Sequence, residues 1–184
     1  VYFPYIKLKN RTTKNEFYVM NVHMRSGAGE QPQGCNTTPC DTYKQQMSSV
    51  SDKLKRLQQT GLPVFILGDF NMNYRFDYKC KVTWHPCYAL KKISIKSSYD
   101  ALKLKGIAND ASTTGTSRTL IDYVYYWTGG RTTITPVSET ILGPNVSCKY
   151  SSKTDVDGDK IRHCWHNSDH KPLLFTIRMK ISTS

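Results

Sequence analysis

The amino-acid sequence predicts a layered sandwich of the α/β or α+β class. Short runs of β-branched and aromatic residues, which favour strands, outnumber the helical segments along the 184 residues. Some of these runs follow one another closely, as in hairpins, whereas others are separated by helices. No repeat, low-complexity tract or linker interrupts the chain, so residues 1–184 are expected to form a single domain.

The N-terminal segment is expected to form a β-hairpin. Residues 2–8 and 16–23 carry β-branched and aromatic side chains on either side of a polar turn over 10–14. A loop rich in Gly, Pro, Gln and Thr is predicted over 25–39.

An amphipathic helix is predicted over residues 42–59, with Asp41 or Thr42 as its N-cap and Gly61 at its end. Its apolar residues recur at helical spacing, and they are Met47, Val50, Leu54 and Leu57. The wholly apolar run 64–67 then predicts a central strand that is covered on both faces.

A long polar and aromatic region follows over 71–119, and one helix near 99–105 is expected within it. Three further strands are predicted at 120–127, 134–142 and 173–181.

The charge balance favours an anionic partner. The chain has 26 Lys and Arg against 14 Asp and Glu, a net charge of +12. Nucleic acids are common partners of such a surface, because each neutralised phosphate releases condensed counterions. A merely soluble cationic protein fits the charge equally well. No segment approaches the roughly 18 apolar residues of a membrane helix, so no transmembrane segment is predicted.

The six cysteines fall into three local pairs, which are Cys35 with Cys40, Cys80 with Cys87, and Cys148 with Cys164. An even number at short separations favours disulfides and therefore a secreted, extracellular protein. A zinc site is the alternative, but the sequence has no CxxC. Sequons at Asn10, Asn36 and Asn145 agree weakly with secretion. No signal peptide is visible over 1–8, so a secreted protein would be a processed or truncated form.

Polar residues collect at the ends of predicted strands. The four segments are Val-Met-Asn-Val-His at 19–23, Ile-Leu-Gly-Asp-Phe-Asn at 66–71, Leu-Ile-Asp-Tyr-Val at 120–124 and Asn-Ser-Asp-His-Lys-Pro at 167–172. Carboxylates and an Asn oxygen are hard ligands for Mg²⁺, Ca²⁺ or Mn²⁺, and imidazoles transfer protons near neutral pH. Phosphodiester hydrolysis needs both kinds of group, because protons must move and the transition-state charge must be neutralised.

Each segment alone also has an ordinary structural interpretation, because Gly-Asp is a common turn and His23 could be a core histidine. All four in this order resemble the endonuclease/exonuclease/phosphatase superfamily, and the resemblance runs over nearly the whole chain. Its most specific elements are the segments 68–71 and 168–172. The resemblance implies half of a four-layer α+β sandwich with a mixed, mostly antiparallel sheet.

The resemblance also implies residues that contact the phosphate and metal. Asp69 and Asn71 match the pair that contacts the scissile phosphate and its metal or attacking water, and Asp169 matches a second metal ligand. Mg²⁺ is the expected ion, with Ca²⁺ or Mn²⁺ as alternatives. Arg118 could reach a phosphate, although a solvated surface arginine is the more common case.

Two histidines and one carboxylate match the family's proton-transfer groups. His170 resembles the general base or the imidazole that stabilises the transition state, and Asp122 resembles the carboxylate that orients it. His23 resembles the second catalytic histidine of the deoxyribonuclease I and sphingomyelinase branches.

One departure from the family pattern concerns its N-terminal half. Members normally begin with a strand that carries a catalytic Asn, followed by a strand with a metal-ligating Glu, and neither is matched here. We therefore expect this chain to be the C-terminal portion of the domain, with the N-terminal half absent. The exposed sheet face would then favour association with that half or with a second copy. Whether this portion is active alone is left open.

The leading functional hypothesis is a secreted, metal-dependent endonuclease that acts on DNA or RNA. A phospholipid or inositol-phosphate phosphodiesterase is the alternative with the same chemistry. A nucleic-acid-binding fragment without catalytic activity is the alternative of a different class.

Overall fold

The computed structural model describes residues 3–28, 38–73, 83–103, 113–114, 120–142, 148–154, 160–164 and 170–181. Within these ranges the strands are β1 (Tyr5–Lys9), β2 (Glu16–His23), β3 (Val64–Asp69), β4 (Lys96–Ser97), β5 (Asp122–Trp127), β6 (Thr132–Ile141), β7 (Cys148–Thr154), β8 (Lys160–Cys164) and β9 (Leu173–Ile181). The helices are α1 (Thr38–Gln58), α2 (Pro86–Lys92) and α3 (Ser98–Ala101).

The strands form a five-stranded sheet, a two-stranded second sheet and a two-stranded ribbon. The first sheet has the order β1-β2-β3-β5-β4, in which β2 and β3 run parallel and the other neighbours run antiparallel. β6 pairs with β9 to form the second sheet, and β7 pairs with β8. The structure therefore confirms the predicted α+β class and the mixed, mostly antiparallel sheet.

Helix α1 links the parallel strands β2 and β3 as a crossover connection. It begins at Thr38, so the prediction of a start near residue 42 and of a loop reaching 39 was wrong. Pro39 is tolerated in the first turn because the amide hydrogens there have no partner within the helix. The early turns also pack well, since Cys40 and Tyr43 are fully buried.

The core divides between the two faces of the first sheet. Alternate residues of β3 point to opposite faces, so Val64 and Ile66 pack with the apolar side of α1. Phe65 and Tyr126 pack on the other face, against the second sheet. The second-sheet residues of this cluster are Ile134, Phe175, Ile177 and Met179. The described part of the chain is thus a helix layer, a central sheet and a second sheet.

Several elements differ from the sequence-based predictions. The helix expected near 99–105 is only the single turn of α3, and Lys103 adopts a left-handed φ of 51° just beyond it. Helix α2 and the ribbon β7–β8 were not predicted, because α2 is short and the ribbon has no regular apolar alternation. The strand predicted over 134–142 begins two residues earlier and ends at Ile141.

The described residues bear on two further predictions, which concern a transmembrane segment and the disulfides. None of the helices in the described ranges is long and apolar enough to cross a bilayer. Cys40 and Cys87 are not free thiols, and Cys148 lies directly opposite Cys164 in the β7–β8 ribbon. Cys35 and Cys80 lie outside the described residues, so the three disulfides stay a prediction.

Candidate active site

Three polar side chains lie side by side at one edge of the first sheet. His23 at the end of β2 is the register partner of Asp69 at the end of β3. Asp69 in turn is the register partner of Asp122, the first residue of β5. Because cross-strand partners project from the same face, the pairing gathers one imidazole and two carboxylates into a row.

His170 joins this row from the segment just before β9 of the second sheet. Its Nδ1 lies 2.8 Å from Oδ2 of Asp122 and 3.1 Å from Oδ1. Its Nε2 lies 3.8 Å from Oδ2 of Asp69, and Nε2 of His23 lies 3.6 Å from the same oxygen. Oδ2 of Asp69 therefore lies near both imidazoles, while the Asp122 carboxylate contacts His170 through its other nitrogen.

The two imidazoles differ in their exposure to solvent. The side chain of His23 is 79% exposed, whereas that of His170 is 30% exposed and those of the two aspartates are below 20%. The exposed imidazole of His23 leaves that side of the row open to a solvated ester, while His170 is more sheltered.

Asn71 fixes the Asp69 carboxylate. Its backbone N–H donates to Oδ1 of Asp69 at 2.7 Å, and its side-chain Nδ2 donates to Oδ2 at 2.9 Å. Nδ2 also donates to the carbonyl oxygen of Met24 at 2.9 Å. Both partners of Nδ2 are acceptors, which sets the orientation of the amide and leaves its carbonyl oxygen to accept further bonds. Asn71 has a φ of 47°, a left-handed conformation that Asn tolerates better than most residues.

Gly68 permits the close approach of β2 and β3 beside the site. Its φ is +133°, and a Cβ atom there would lie 2.0 Å from the carbonyl oxygen of Val22. A side chain at this position would displace β2 and with it His23. Glycine at position 68 is thus required by the backbone geometry that brings Asp69 next to its neighbours.

Burial raises the pKa of the Asp69 carboxyl, and the negative charge of Asp122 raises it further. The Asn71 N–H and the two histidines act in the opposite direction, although they do not offset the burial. A carboxylate in this position is stabilised by any added positive charge, whether a protonated imidazole or a metal ion.

Two buried hydroxyl groups that the sequence analysis did not single out hold the Asp122 backbone. Thr113 Oγ1 accepts from the N–H of Asp122, and the Tyr99 hydroxyl donates to its carbonyl oxygen. Both residues lie in the long polar and aromatic region 71–119, in which no spacing or motif distinguishes them. Their roles follow only from the tertiary contacts.

The described residues supply part of a site for a divalent ion. The desolvated Asp69 carboxylate suits one ligand position. Within the described ranges no group of three or more His, Cys, Asp and Glu residues is arranged to hold a metal. Asp169 and Arg118 lie outside the described residues. Asp169, next to His170 in the chain, stays the predicted source of a second carboxylate.

The arrangement is suited to moving protons beside an anionic group. The Asp122 carboxylate can accept a hydrogen bond from the Nδ1–H tautomer of His170, in which Nε2 can exchange a proton with a reacting oxygen. His23 offers a second imidazole, whose Nε2 lies 3.6 Å from Oδ2 of Asp69.

No protein-family model matches the sequence, and no curated protein matches it. The fold does match solved structures. An endonuclease/exonuclease/phosphatase family protein from Bacteroides thetaiotaomicron is 18% identical, with a TM-score of 0.57, over 95% of this chain and 55% of its own. A protein of that family from Bacteroides vulgatus is 13% identical, with a TM-score of 0.52, over 96% of this chain and 54% of its own.

A third match is TDP2 from D. rerio, humanized by 14 mutations. It is 14% identical, with a TM-score of 0.54, over 90% of this chain and 57% of its own length. The chain therefore spans little more than half of each of these proteins. At such identities the likeness concerns the fold alone.

Proposed function

We propose that this chain, which has the fold of endonuclease/exonuclease/phosphatase proteins, supplies the proton-transfer half of a metal-assisted phosphodiesterase centre. The observation that carries the proposal is the position of His170, bonded to Asp122 through one nitrogen and 3.8 Å from Asp69 through the other. An imidazole held in this way is suited to act as a general base or acid.

His170 moves the proton in the proposed reaction. Hydrolysis requires the attacking water to lose a proton and the leaving oxygen to gain one. The Asp122 carboxylate stabilises the imidazolium that forms when His170 takes up a proton through Nε2. His23, the more exposed imidazole, is placed to serve the opposite transfer at the leaving oxygen.

Asn71 is better suited to the attacking water or a metal ion than to the phosphate oxygens. Both hydrogens of its amide are used by Asp69 and Met24, so the group presents an acceptor rather than a donor. The remaining oxygen can orient a water molecule that donates to it. Asp69 would be one ligand of the proposed Mg²⁺, with Ca²⁺ or Mn²⁺ as alternatives. The ion's contribution is to neutralise negative charge that develops on the phosphate.

A nucleic acid is the proposed substrate. The chain carries a net charge of +12, which favours a polyanion. A groove of about 470 Å³ between α1 and α2 adds a local surface with more basic than acidic groups, because three lysines (Lys44, Lys55 and Lys92) and one carboxylate (Asp52) line it together with Trp84. Lysines neutralise phosphates, and an indole provides a face on which a base can stack.

Tyr43 connects this groove to the candidate active site. Its ring packs edge-to-face with Trp84 at 5.7 Å between centroids, and its hydroxyl donates to the carbonyl oxygen of Phe70. Phe70 lies between Asp69 and Asn71 in the chain, so the groove begins one aromatic ring away from the catalytic loop.

An oxidising, extracellular location is proposed together with three local disulfides. Cys40 and Cys87 carry no free thiol, and Cys148 and Cys164 are register partners. Mass spectrometry of the unreduced protein would test the pairing. Free thiols at these positions would contradict the proposal.

Association with further polypeptide of the same fold, or with a second copy, is also proposed. Ile6, Leu8 and Leu67 are 56%, 39% and 37% exposed, respectively. Ile6 and Leu8 are register partners of Val19 and Phe17, on the face where Phe17 packs toward the second sheet. This apolar strip lies beyond the cover of the described second sheet, and sedimentation of the 184-residue chain would show whether it associates.

The decisive experiment for the function compares substrates and metals with the full-length protein. Nicking of plasmid DNA and cleavage of single-stranded DNA and RNA are expected with Mg²⁺ and are expected to stop in EDTA. Thr133→Val, at an exposed position of β6 that does not line the groove, serves as the control variant. Turnover of sphingomyelin or an inositol phosphate in place of nucleic acid would assign the alternative substrate. Salt-dependent DNA binding without turnover in Mg²⁺ or Mn²⁺ would contradict the catalytic proposal.

A further inference from the structure

The proposed catalytic pair joins a strand of the first sheet to the segment that leads into the second sheet. Asp122 begins β5 of the first sheet, whereas His170 lies just before β9 of the second. Their 2.8 Å contact therefore depends on how the two sheets are held together at this end. A displacement of about 1 Å between reacting groups can lower a rate roughly 100-fold, so whatever fixes this spacing affects the chemistry.

Thr113 holds the Asp122 side of the pair with its side chain. Its Oγ1 accepts from the N–H of Ile121 at 3.1 Å and from the N–H of Asp122 at 3.3 Å. Strand β4 pairs only with Tyr125 and Tyr126, so it does not extend along β5 as far as Asp122. The threonine hydroxyl occupies the place where a neighbouring strand would otherwise supply the acceptor.

The same residue holds the His170 side with its main chain. The carbonyl oxygen of Thr113 accepts from the N–H of Lys171 at 2.8 Å, and Thr114 forms an antiparallel bridge with His170. Thr113 is fully buried and Lys171 is only 7% exposed, so water does not compete for these bonds.

We propose that Thr113 is a positioning residue that sets the distance between Asp122 and His170. Its side chain binds the start of β5, and its backbone binds the segment that leads into β9, at the level of the catalytic pair. The expected effect on kcat rests on the proposed function. The effect on the distance between Asp122 and His170 rests on geometry alone.

Three variants of the full-length protein test the kinetic consequence. Thr113→Val keeps the shape but removes the acceptor, and it is expected to lower kcat by about 10- to 100-fold with KM changed less than about twofold. Thr113→Ser keeps the hydroxyl group and should retain kcat within about threefold. Thr133→Val, on the exposed side of β6, is the matched control and should leave kcat unchanged.

Coupling to Asp122 separates positioning from a general loss of stability. If Thr113 acts through Asp122, Thr113→Val should cost little further rate in an Asp122→Asn background, because the two changes remove the same arrangement. Equal losses in both backgrounds would overturn the proposal. Should the valine variant not fold, Thr113→Ala provides the same comparison.

A spectroscopic measurement tests the geometry without any turnover. The proton that His170 Nδ1 shares with Asp122 should give a downfield NMR resonance that is lost in Thr113→Val and kept in Thr113→Ser. If the wild-type protein cleaves no phosphodiester but the resonance behaves in this way, the positioning role stands and the proposed function fails. A valine variant with both the wild-type resonance and the wild-type kcat would overturn the positioning role.

Discussion

Nδ1 of His170 lies 2.8 Å from Oδ2 of Asp122, although the two residues are 48 positions apart in the chain. The contact fixes the ring orientation and favours the tautomer in which Nδ1–H donates to the carboxylate. The other nitrogen is thereby directed to the row formed by Asp69 and His23. This relationship is the structural basis of the catalytic proposal.

Replacement of His170 is expected to remove the chemistry and retain binding. His170→Ala should lower cleavage at least about 100-fold, since general acid–base groups typically contribute roughly 10²–10⁴ in rate. DNA affinity, measured by fluorescence anisotropy, should stay within about threefold because the ring is not a phosphate contact in the proposal. Near-normal turnover in this variant would remove His170 from the mechanism.

Gly68 should be among the least replaceable glycines of the chain. In Gly68→Ala the new Cβ would meet the carbonyl oxygen of Val22 at 2.0 Å, in a backbone conformation with φ of +133°. We expect a loss of about 3 kcal/mol or more in the free energy of unfolding, measured by urea denaturation. Gly130→Ala is the matched control, since no atom lies within 4 Å of its Cβ position. Equal effects of the two changes would contradict the explanation.

Glu139 should make the stability of the protein depend on pH. Its carboxyl group is 2% exposed, Oε1 accepts from the Ser98 hydroxyl, and Oε2 has no hydrogen-bond partner among the described residues. Burial raises the pKa of this carboxyl from 4.5 to about 7. The folded protein thus holds the proton more tightly than the unfolded chain, and stability is lost as the pH rises from about 4.5 through about 7.

Glu139→Gln removes this titration and keeps an acceptor for Ser98. The free energy of unfolding of this variant, relative to that of the wild type, should increase from pH 5 to pH 8. The gain should approach roughly 3 kcal/mol. Urea denaturation at both pH values measures it. Glu16→Gln, at a more exposed carboxyl, is the control and should show a smaller change. A constant difference between Glu139→Gln and the wild type across this range would show that Glu139 stays charged when folded.

The basic groove should contribute to binding of long substrates. Lys92→Gln is expected to raise KM for a single-stranded oligonucleotide several-fold and to lower the slope of log affinity against log salt by about one. Lys91→Gln is the matched control, because Lys91 lies on the same helix but does not line the groove. A small diester such as bis(p-nitrophenyl) phosphate should be hydrolysed equally by both variants. Equal KM values for the oligonucleotide would place the substrate elsewhere.

Local sequence patterns were enough to predict several strands, but not the start of the long helix. Strand alternation and turn residues are short-range properties. The sequence therefore predicted the hairpin from 2–8 and 16–23 and the strands 64–67 and 173–181, where the structure has β1–β2, β3 and β9. The start of α1 was misplaced because the packing of Cys40 and Tyr43 outweighs the cap signal at Asp41.

The residues that hold the site in place were much harder to predict. Thr113 carries no motif, and its bonds to Asp122 and Lys171 depend on elements that are distant in sequence. The Asn71 amide likewise has an orientation that only its contact with Met24 reveals. Such contacts follow from the pairing of whole strands and sheets rather than from neighbouring residues.

Residue chemistry and its order along the chain were enough to indicate the fold, the basic surface and a set of carboxylates and imidazoles for phosphodiester chemistry. The three-dimensional packing determined which of these groups meet. It placed His170 against Asp122 and gave both amide hydrogens of Asn71 a hydrogen-bond acceptor. The reason is physical: propensity and polarity act between near neighbours, whereas a hydrogen bond between two sheets exists only after both have formed and packed together.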